Sequence, residues 1–333
     1  MINVGILGAG FMGSTHARGY AKLHDVKLRA IFSRSAEKAA KLAKEFGATA
    51  TTDMESLVKD PQIDVIDISI PTPWHKEYTL KALEAGKHVL CEKPMALTVE
   101  DAEAMAEAAE KSGKILMVAH VLRFWPEHVA LRDFVQSGKA GRALAATSSR
   151  LSSRPTWGEW FAHHDQTGGA VLDLMVHDAD MLNWLFGRPK AVYAKGHRGE
   201  PGGWDHVLML ADYGFGKGFV ESSVMMPAEY PFTMTLSVLC EKGSMEFTFR
   251  AAGTGVETGV PEGTKLTVYE SGKPPYPLPA EKGNAYDREV AYFIECVRAG
   301  KKPEVVTPED GVWAVRVCLA ARESIETGKV ITF

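Results

Sequence analysis

Three side chains in this sequence have the type and spacing to move a proton or to steady a developing charge. The first is Lys93, in the stretch "HVLCEKPMAL" (88–97), where an apolar, strand-like run stops at Glu92-Lys93-Pro94. Proline lacks a donor and restricts the residue before it, so Lys93 is pinned in an extended or turn conformation at a strand end. An ammonium group fixed there can donate to a hydroxyl and stabilise its alkoxide character as a reaction proceeds. The plainer reading is a surface lysine beside a structural proline. The other two are Asp173 and His177, in "GGAVLDLMVHDADMLNWLFG" (168–187). Four residues apart on a helix, they share a face about one turn from each other. An imidazole accepts a hydroxyl proton near neutral pH, and a carboxylate beside it can orient the ring or a substrate. A surface hydrogen bond is the ordinary alternative for such a pair. Gly168-Gly169, just ahead, suits a close approach of backbone or ligand.

The elements that must position these groups read differently in the two parts of the chain. "INVGIL" is a β-branched run ending in "GAGFMG", with Gly8, Gly10 and Gly13 in G-x-G-x-x-G spacing and a helical pattern directly after. The first glycine permits a tight turn, the second a close approach to a pyrophosphate, and the third tight helix–strand packing. Strand before and helix after turn a weak motif into a dinucleotide-binding expectation. Further strands are expected at 26–33, 63–70, 88–91 and 114–120, with helical patterns between them. Thr98 is the expected N-cap of the helix from Val99, and Gly113 its stop. This alternation predicts an α/β, doubly wound parallel sheet over residues 1–121. Ligands in such sheets bind beyond the strand carboxyl ends. The candidate cofactor-binding residues are therefore Gly8, Gly10, Phe11, Met12 and Gly13, then Pro71, Thr72 and His75 of "IPTPWH", and Glu92 and Lys93. His75 lines the nicotinamide pocket or caps the following helix.

Residues 122–333 are expected to form an α+β domain with an open, mostly antiparallel sheet. Strands at 143–150, 190–198, 205–213, 218–224, 233–240 and 244–249 follow "RFWPEH" without regular intervening helices, backed by one clear helix near 170–186. The stretch 251–283, rich in Gly and Pro, reads as loop with one short strand, "KLTVYE". Two helices close the chain, one with Val290, Phe293, Ile294 and Val297 at helical spacing, the other starting at a Thr307-Pro308 cap. The last helix is free to pack back on the first domain.

Composition narrows the class. A chain of 333 residues with 45% apolar content can bury a large core. A net charge of -4 gives no basic footprint for nucleic acid or an anionic membrane. The four cysteines are scattered without a C-x-x-C pair, which suits a reducing compartment. The first strand begins almost at once and leaves no space for a signal peptide, and no segment is long enough to span a bilayer. A cytoplasmic location is expected. His163, His164, Asp165, Asp173 and His177 have no compelling metal spacing, so no metal is expected.

Cofactor choice is read beyond the glycine motif. An NAD-specific site carries an Asp or Glu about twenty residues further on. Here Ser33 and Arg34 occupy that region, with no carboxylate until Glu37 and with Lys38 a turn later. A hydroxyl and a guanidinium suit a 2′-phosphate, so NADP(H) is the expected preference and NAD(H) the possible second. Arg34 stacked on the adenine, tolerating both, is the alternative.

The glycine motif, "AGKHVLCEKP" (85–94), "GGAVLDLMVHDADMLNWLFG" and the tail "TPEDGVWAVRVCLAARESIETGKVI" together resemble the Gfo/Idh/MocA oxidoreductases across nearly the whole chain. The resemblance implies a Rossmann domain followed by a domain supplying substrate contacts and an oligomer interface. It implies that Lys93 contacts substrate and nicotinamide ribose, that Asp173 binds substrate and that His177 is the acid/base. The family commonly carries Arg-Phe and Pro where this chain has "HVLRFWP", which makes Arg123 a candidate substrate contact. Trp157 and Trp160, just before the catalytic helix, are candidates to face a sugar ring, although such tryptophans are often core. The implied activity is hydride transfer between NAD(P) and a carbinol or ketone carbon of a sugar, cyclitol or related polyol. A redox-assisted glycosidase and a non-catalytic, cofactor-sensing regulator are the alternatives on the same fold. A homodimer or homotetramer through the second-domain sheet is expected, because an open apolar sheet face calls for a partner subunit.

Overall fold

The computed structural model of the chain describes residues 1–154, 163–200, 202–251 and 264–333. The chain divides into two compact units, Met1–Val121 with Ala285–Val312, and Leu122–Asn284 with Trp313–Phe333. The first unit alternates strand and helix: β1 (Ile2–Leu7), α1 (Phe11–Tyr20), β2 (Val26–Phe32), α2 (Ala36–Phe46), β3 (Thr49–Thr51), α3 (Met54–Lys59), β4 (Val65–Ile68), α4 (His75–Glu84), β5 (His88–Glu92), α5 (Val99–Ser112) and β6 (Leu116–Ala119). Its six strands are all parallel, in the order β3-β2-β1-β4-β5-β6. Val4, Ile6, Ile31, Val65, Ile66, Ile68, Val89, Leu90 and Val118 are fully buried. A parallel sheet covered on both faces needs such apolar runs, and β4 and β5 supply them except at Asp67, His88 and Glu92. Strand order reverses between β1 and β4, which opens a crevice at their carboxyl ends. Thr98 accepts a hydrogen bond from the Asp101 N–H at 3.1 Å and so caps α5, while Gly113 ends it in the left-handed region.

The second unit continues with α6 (Pro126–Gln136), β7 (Ala143–Leu151), α7 (His164–Thr167), a π-helical turn (Ala170–Leu174) and α8 (Val176–Phe186). The strands β8 (Ala191–Arg198), β9 (Trp204–Tyr213), β10 (Gly216–Ser223), β11 (Phe232–Cys240), β12 (Gly243–Ala251), β13 (Lys265–Glu270) and β14 (Tyr276–Pro277) follow. The chain ends in α9 (Ala285–Ala299), α10 (Pro308–Thr327) and β15 (Ile331–Thr332). The nine-stranded sheet runs β14-β13-β12-β11-β7-β10-β9-β8-β15. Among the described residues, only β7 and β10 of this sheet pair in parallel, and every other pair is antiparallel. Along β9, Val207, Met209 and Ala211 face the core while Leu208, Leu210 and Asp212 face outward, the period-2 pattern of a sheet with one covered face. The helix α9 belongs to the first unit and packs against α1.

Most expected strands are present with ends moved by a residue or two. Four differences stand out. The helix α6 occupies a stretch where no regular helix was expected, and β3 is an additional edge strand. The strand β13 in the Gly/Pro-rich stretch has a two-residue partner, β14. The single helix expected near 170–186 is a π-helical turn followed by α8, joined at Met175. Among the described residues, no helix is long and apolar enough to cross a membrane.

Candidate active site

The glycine loop is built as a cradle. Gly8 leaves β1 with φ +127°, and a Cβ there would come within 2.2 Å of the Ser69 carbonyl oxygen. A Cβ on Gly13 would meet the Gly8 oxygen at 1.9 Å. Both positions therefore exclude any side chain, and the loop lies tight against the β4 end and the first turn of α1. At Gly10 the geometry is the reverse: a Cβ would meet nothing within 4 Å. That residue is exposed, and it forms the N-cap of α1 without a side-chain cap and with no acid in the first turn. A helix N-terminus that begins at such a glycine loop fits an anionic phosphate group. Phe11 and Met12 are half-buried beside it.

At the end of β2, Ser33 is half-buried, and its hydroxyl oxygen accepts from the Ser35 N–H at 3.2 Å. Ser35 in turn caps α2 by accepting from the Lys38 N–H at 3.3 Å. The turn thereby presents Arg34 and Lys38 as exposed cations next to the strand end.

Lys93 follows β5. Cys91, Glu92, Pro94, Met95 and Ala96 are buried and Lys93 alone in that run is partly open. Both of its neighbours are held. The Lys93 N–H donates to Glu92 Oε2 at 3.0 Å. Beyond it, the Pro94 carbonyl oxygen lies 2.9 Å from His75 Nδ1, and the other ring nitrogen of His75 lies 2.8 Å from the Ile70 carbonyl. His75 is buried, and burial lowers its pKa against the pull of those carbonyls. Its ring thus ties the loop after β4 to the loop after β5 and does not cap α4. Pro71 is half-buried, and Thr72 is buried in the short 3₁₀ turn leading to α4.

Behind the glycine loop lies a buried polar cluster that was not anticipated. His16 of α1 has Nδ1 at 2.9 Å from Asp67 Oδ2 and Nε2 at 3.2 Å from Glu92 Oε1. Asp67 also accepts from the Tyr20 hydroxyl at 2.9 Å and from the Ser69 hydroxyl at 2.6 Å. Glu289 of α9 completes the group, its Oε2 3.8 Å from His16 Nε2. Burial pulls the His16 pKa down, but the charges of Asp67 and Glu92 and the hydrogen bond to Asp67 overcome it and hold the imidazole well above its ordinary range. Burial pushes the Glu289 carboxyl well up from its ordinary value, against the pull of His16 and reinforced by Glu92 and Asp67. The signal in the sequence was a histidine and a tyrosine four residues apart on α1, plus an aspartate inside the apolar run "IDVIDISI".

In the second unit, Asp173 sits in the π-helical turn and His177 in the first turn of α8. The chain around them is almost wholly buried, and Asp173, Leu174, His177 and Trp184 are partly open positions along it. Positions 173, 177 and 184 fall on one stripe at helical spacing. Buried ion pairs fix that stripe. Asp178 accepts from Arg150 Nε at 2.8 Å and from the Ser148 hydroxyl at 2.6 Å, and so pins α8 to β7. Asp180 receives a fork from Arg123, Nε at 2.9 Å and Nη2 at 2.7 Å. Arg123 is therefore a buried structural partner, its guanidinium also lying 5.6 Å from the Trp184 ring. Trp157 and Trp160 lie outside the described residues.

Comparisons with known proteins agree with the two-part fold. Residues 2–120 match the oxidoreductase family described by an NAD-binding Rossmann fold, and residues 128–246 match the Gfo/Idh/MocA C-terminal domain. A 1,5-anhydro-D-fructose reductase of Ensifer adhaerens is 31% identical, over 98% of this chain and 96% of its own. A myo-inositol 2-dehydrogenase of Thermotoga maritima is 27% identical, over 98% of this chain and 96% of its own. Among solved structures, a levoglucosan dehydrogenase in complex with NADH and levoglucosan is similar with a TM-score of 0.83 at 25% identity, covering 99% of each chain.

Proposed function

From the premise that this chain belongs to the Gfo/Idh/MocA oxidoreductase family, we propose that it transfers a hydride between a nicotinamide dinucleotide and a carbinol or ketone carbon of a sugar, cyclitol or related polyol. The observation that carries the reading is Lys93, the partly open residue of a buried run, held on both sides at the carboxyl end of β5. Relatives named for an anhydrofructose, an inositol and levoglucosan support a polyhydroxylated ring as the substrate class.

The nicotinamide supplies the hydride chemistry when bound. The glycine cradle and the N-terminus of α1 suit its pyrophosphate, and Arg34 with Lys38 suits a 2′-phosphate, which favours NADP(H). Lys93 donates a hydrogen bond to the reacting oxygen and stabilises its alkoxide character. His177 takes the hydroxyl proton in oxidation and returns it in reduction. Asp173, one turn away, orients the substrate. Arg123 acts by positioning α8 through Asp180. The open sheet face supports a dimer or tetramer, and the enzyme is assigned to the cytoplasm.

The test is a panel of polyols and keto-sugars with oxidised and reduced cofactors, followed by nicotinamide absorbance. Turnover of at least one ring polyol is expected. Lys93→Met and His177→Ala should each cut it by at least ~10²-fold with little change in dinucleotide affinity. Retention of most activity in both variants would remove the mechanism.

A further inference from the structure

The buried cluster in the first unit is an expensive thing to place in a core. His16, Asp67, Tyr20 and Glu289 are fully buried, and Glu92 is 6% exposed. Charged groups taken out of water must be matched closely by their partners, and apolar side chains of similar volume usually serve a core as well or better. Here the matching has a direction. From Asp67 of β4 the contacts run to His16 Nδ1, from His16 Nε2 to Glu92 Oε1, and from Glu92 Oε2 to the backbone N–H of Lys93. The chain of contacts ends on the one residue of the β5 turn that is left partly open. From the other elements Ser69 after β4 and Glu289 on α9 also approach the His16 ring, while Tyr20 on its own helix donates to Asp67.

We infer that His16 is a positioning residue for Lys93, acting through Glu92: it clamps one carboxylate oxygen so that the other holds the lysine's backbone in place. This inference rests on the reading of Lys93 as a catalytic group. His16 lies three residues beyond Gly13, on the helix that opens at the glycine cradle. One helix therefore both presents backbone donors to a phosphate and braces the lysine. Without an imidazole at position 16, Asp67 and Glu92 would face each other with no cation between them, and Glu92 would turn away from the Lys93 N–H.

The test uses the full-length enzyme with the polyol identified by the panel, measuring kcat, KM and, separately, dinucleotide affinity by NADPH or NADH fluorescence. His16→Phe should lower kcat by ~10- to 100-fold while KM and dinucleotide affinity stay within about threefold. His16→Gln, whose amide keeps a donor toward Glu92, should recover part of the loss. In a Lys93→Met background, with residual turnover read at high enzyme concentration, His16→Phe should cost nothing further. A purely structural histidine would instead give losses that multiply. Multiplying losses, an unchanged kcat in His16→Phe, or a loss confined to dinucleotide affinity would each overturn the inference. Should His16→Phe not fold, Glu92→Leu replaces it in the same cycle, because it removes the acceptor for the Lys93 N–H and leaves His16 on Asp67. If Lys93→Met itself retains full kcat, the reading of Lys93 fails; if only the His16 and Glu92 variants are inert, that reading stands and this inference falls.

Discussion

Arg34 stands exposed just past β2, in a turn whose geometry is set by Ser33 and Ser35 rather than by the arginine itself. Its guanidinium can therefore be removed without disturbing the turn. Arg34→Ala should weaken NADP(H) by roughly 1–3 kcal/mol, the value of a hydrogen bond to a charged group. NAD(H) binding should change much less, as read by fluorescence titration. Equal losses for both cofactors, or a wild type that already favours NAD(H), would count against the assignment. Residues of this exposed kind were legible in the sequence because a motif or a proline marks them. Lys93 was found from Pro94, and Asp173 with His177 from their four-residue spacing. His16, Asp67, Glu289, Asp178 and Asp180 were not found, because a buried polar residue carries no mark until its partner, tens or hundreds of residues away, is in place.

Elements were legible where their buried side chains are apolar. The helix α6 buries His128, Leu131 and Val135, a stripe at i, i+3 and i+7 whose first member is a histidine. Counting only apolar residues hides that period. The histidine is a core residue, its ring centroid 4.5 Å from that of Phe247. Burial, helped by the charge of Arg150, pushes its pKa down to about 3. Folded protein thus binds fewer protons than unfolded chain between about pH 3 and the ordinary value of 6.5, so stability is full above that window and is lost as pH falls through it. On going from pH 6.5 to about pH 4.5, His128→Phe should lose roughly 1–3 kcal/mol less stability than the wild type, measured by urea unfolding at the two pH values. Parallel losses would mean that the ring is already charged in the fold. The edge strand β3 escaped for a different reason: Thr49 and Ala50 are exposed and offer no alternation. The π-helical turn before α8 adds one residue to a helical repeat without any change in residue type that would announce it.

For the whole molecule, the outer face of the nine-stranded sheet is the feature with the largest claim on a partner. Leu210 of β9 and Leu239 of β11 are 55% and 52% exposed, and Phe219 pairs in register with Leu210. An open sheet face carrying large apolar side chains favours association. The wild type is expected to be a dimer or tetramer at micromolar concentration by light scattering, and Leu210→Arg with Leu239→Arg should shift it toward monomer. A monomeric wild type would contradict the expectation. The division of the first unit into two stretches of sequence, Met1–Val121 and Ala285–Val312, bears on how the protein is made. When the sixth parallel strand leaves the ribosome, the helix that covers α1 is still some 160 residues away. At ordinary elongation rates that is about ten to thirty seconds of synthesis. For that interval the nascent chain carries all six strands of the parallel sheet with the α9-facing side of α1 bare, while Glu289, whose Oε2 lies 3.8 Å from His16 Nε2 in the fold, has yet to be made.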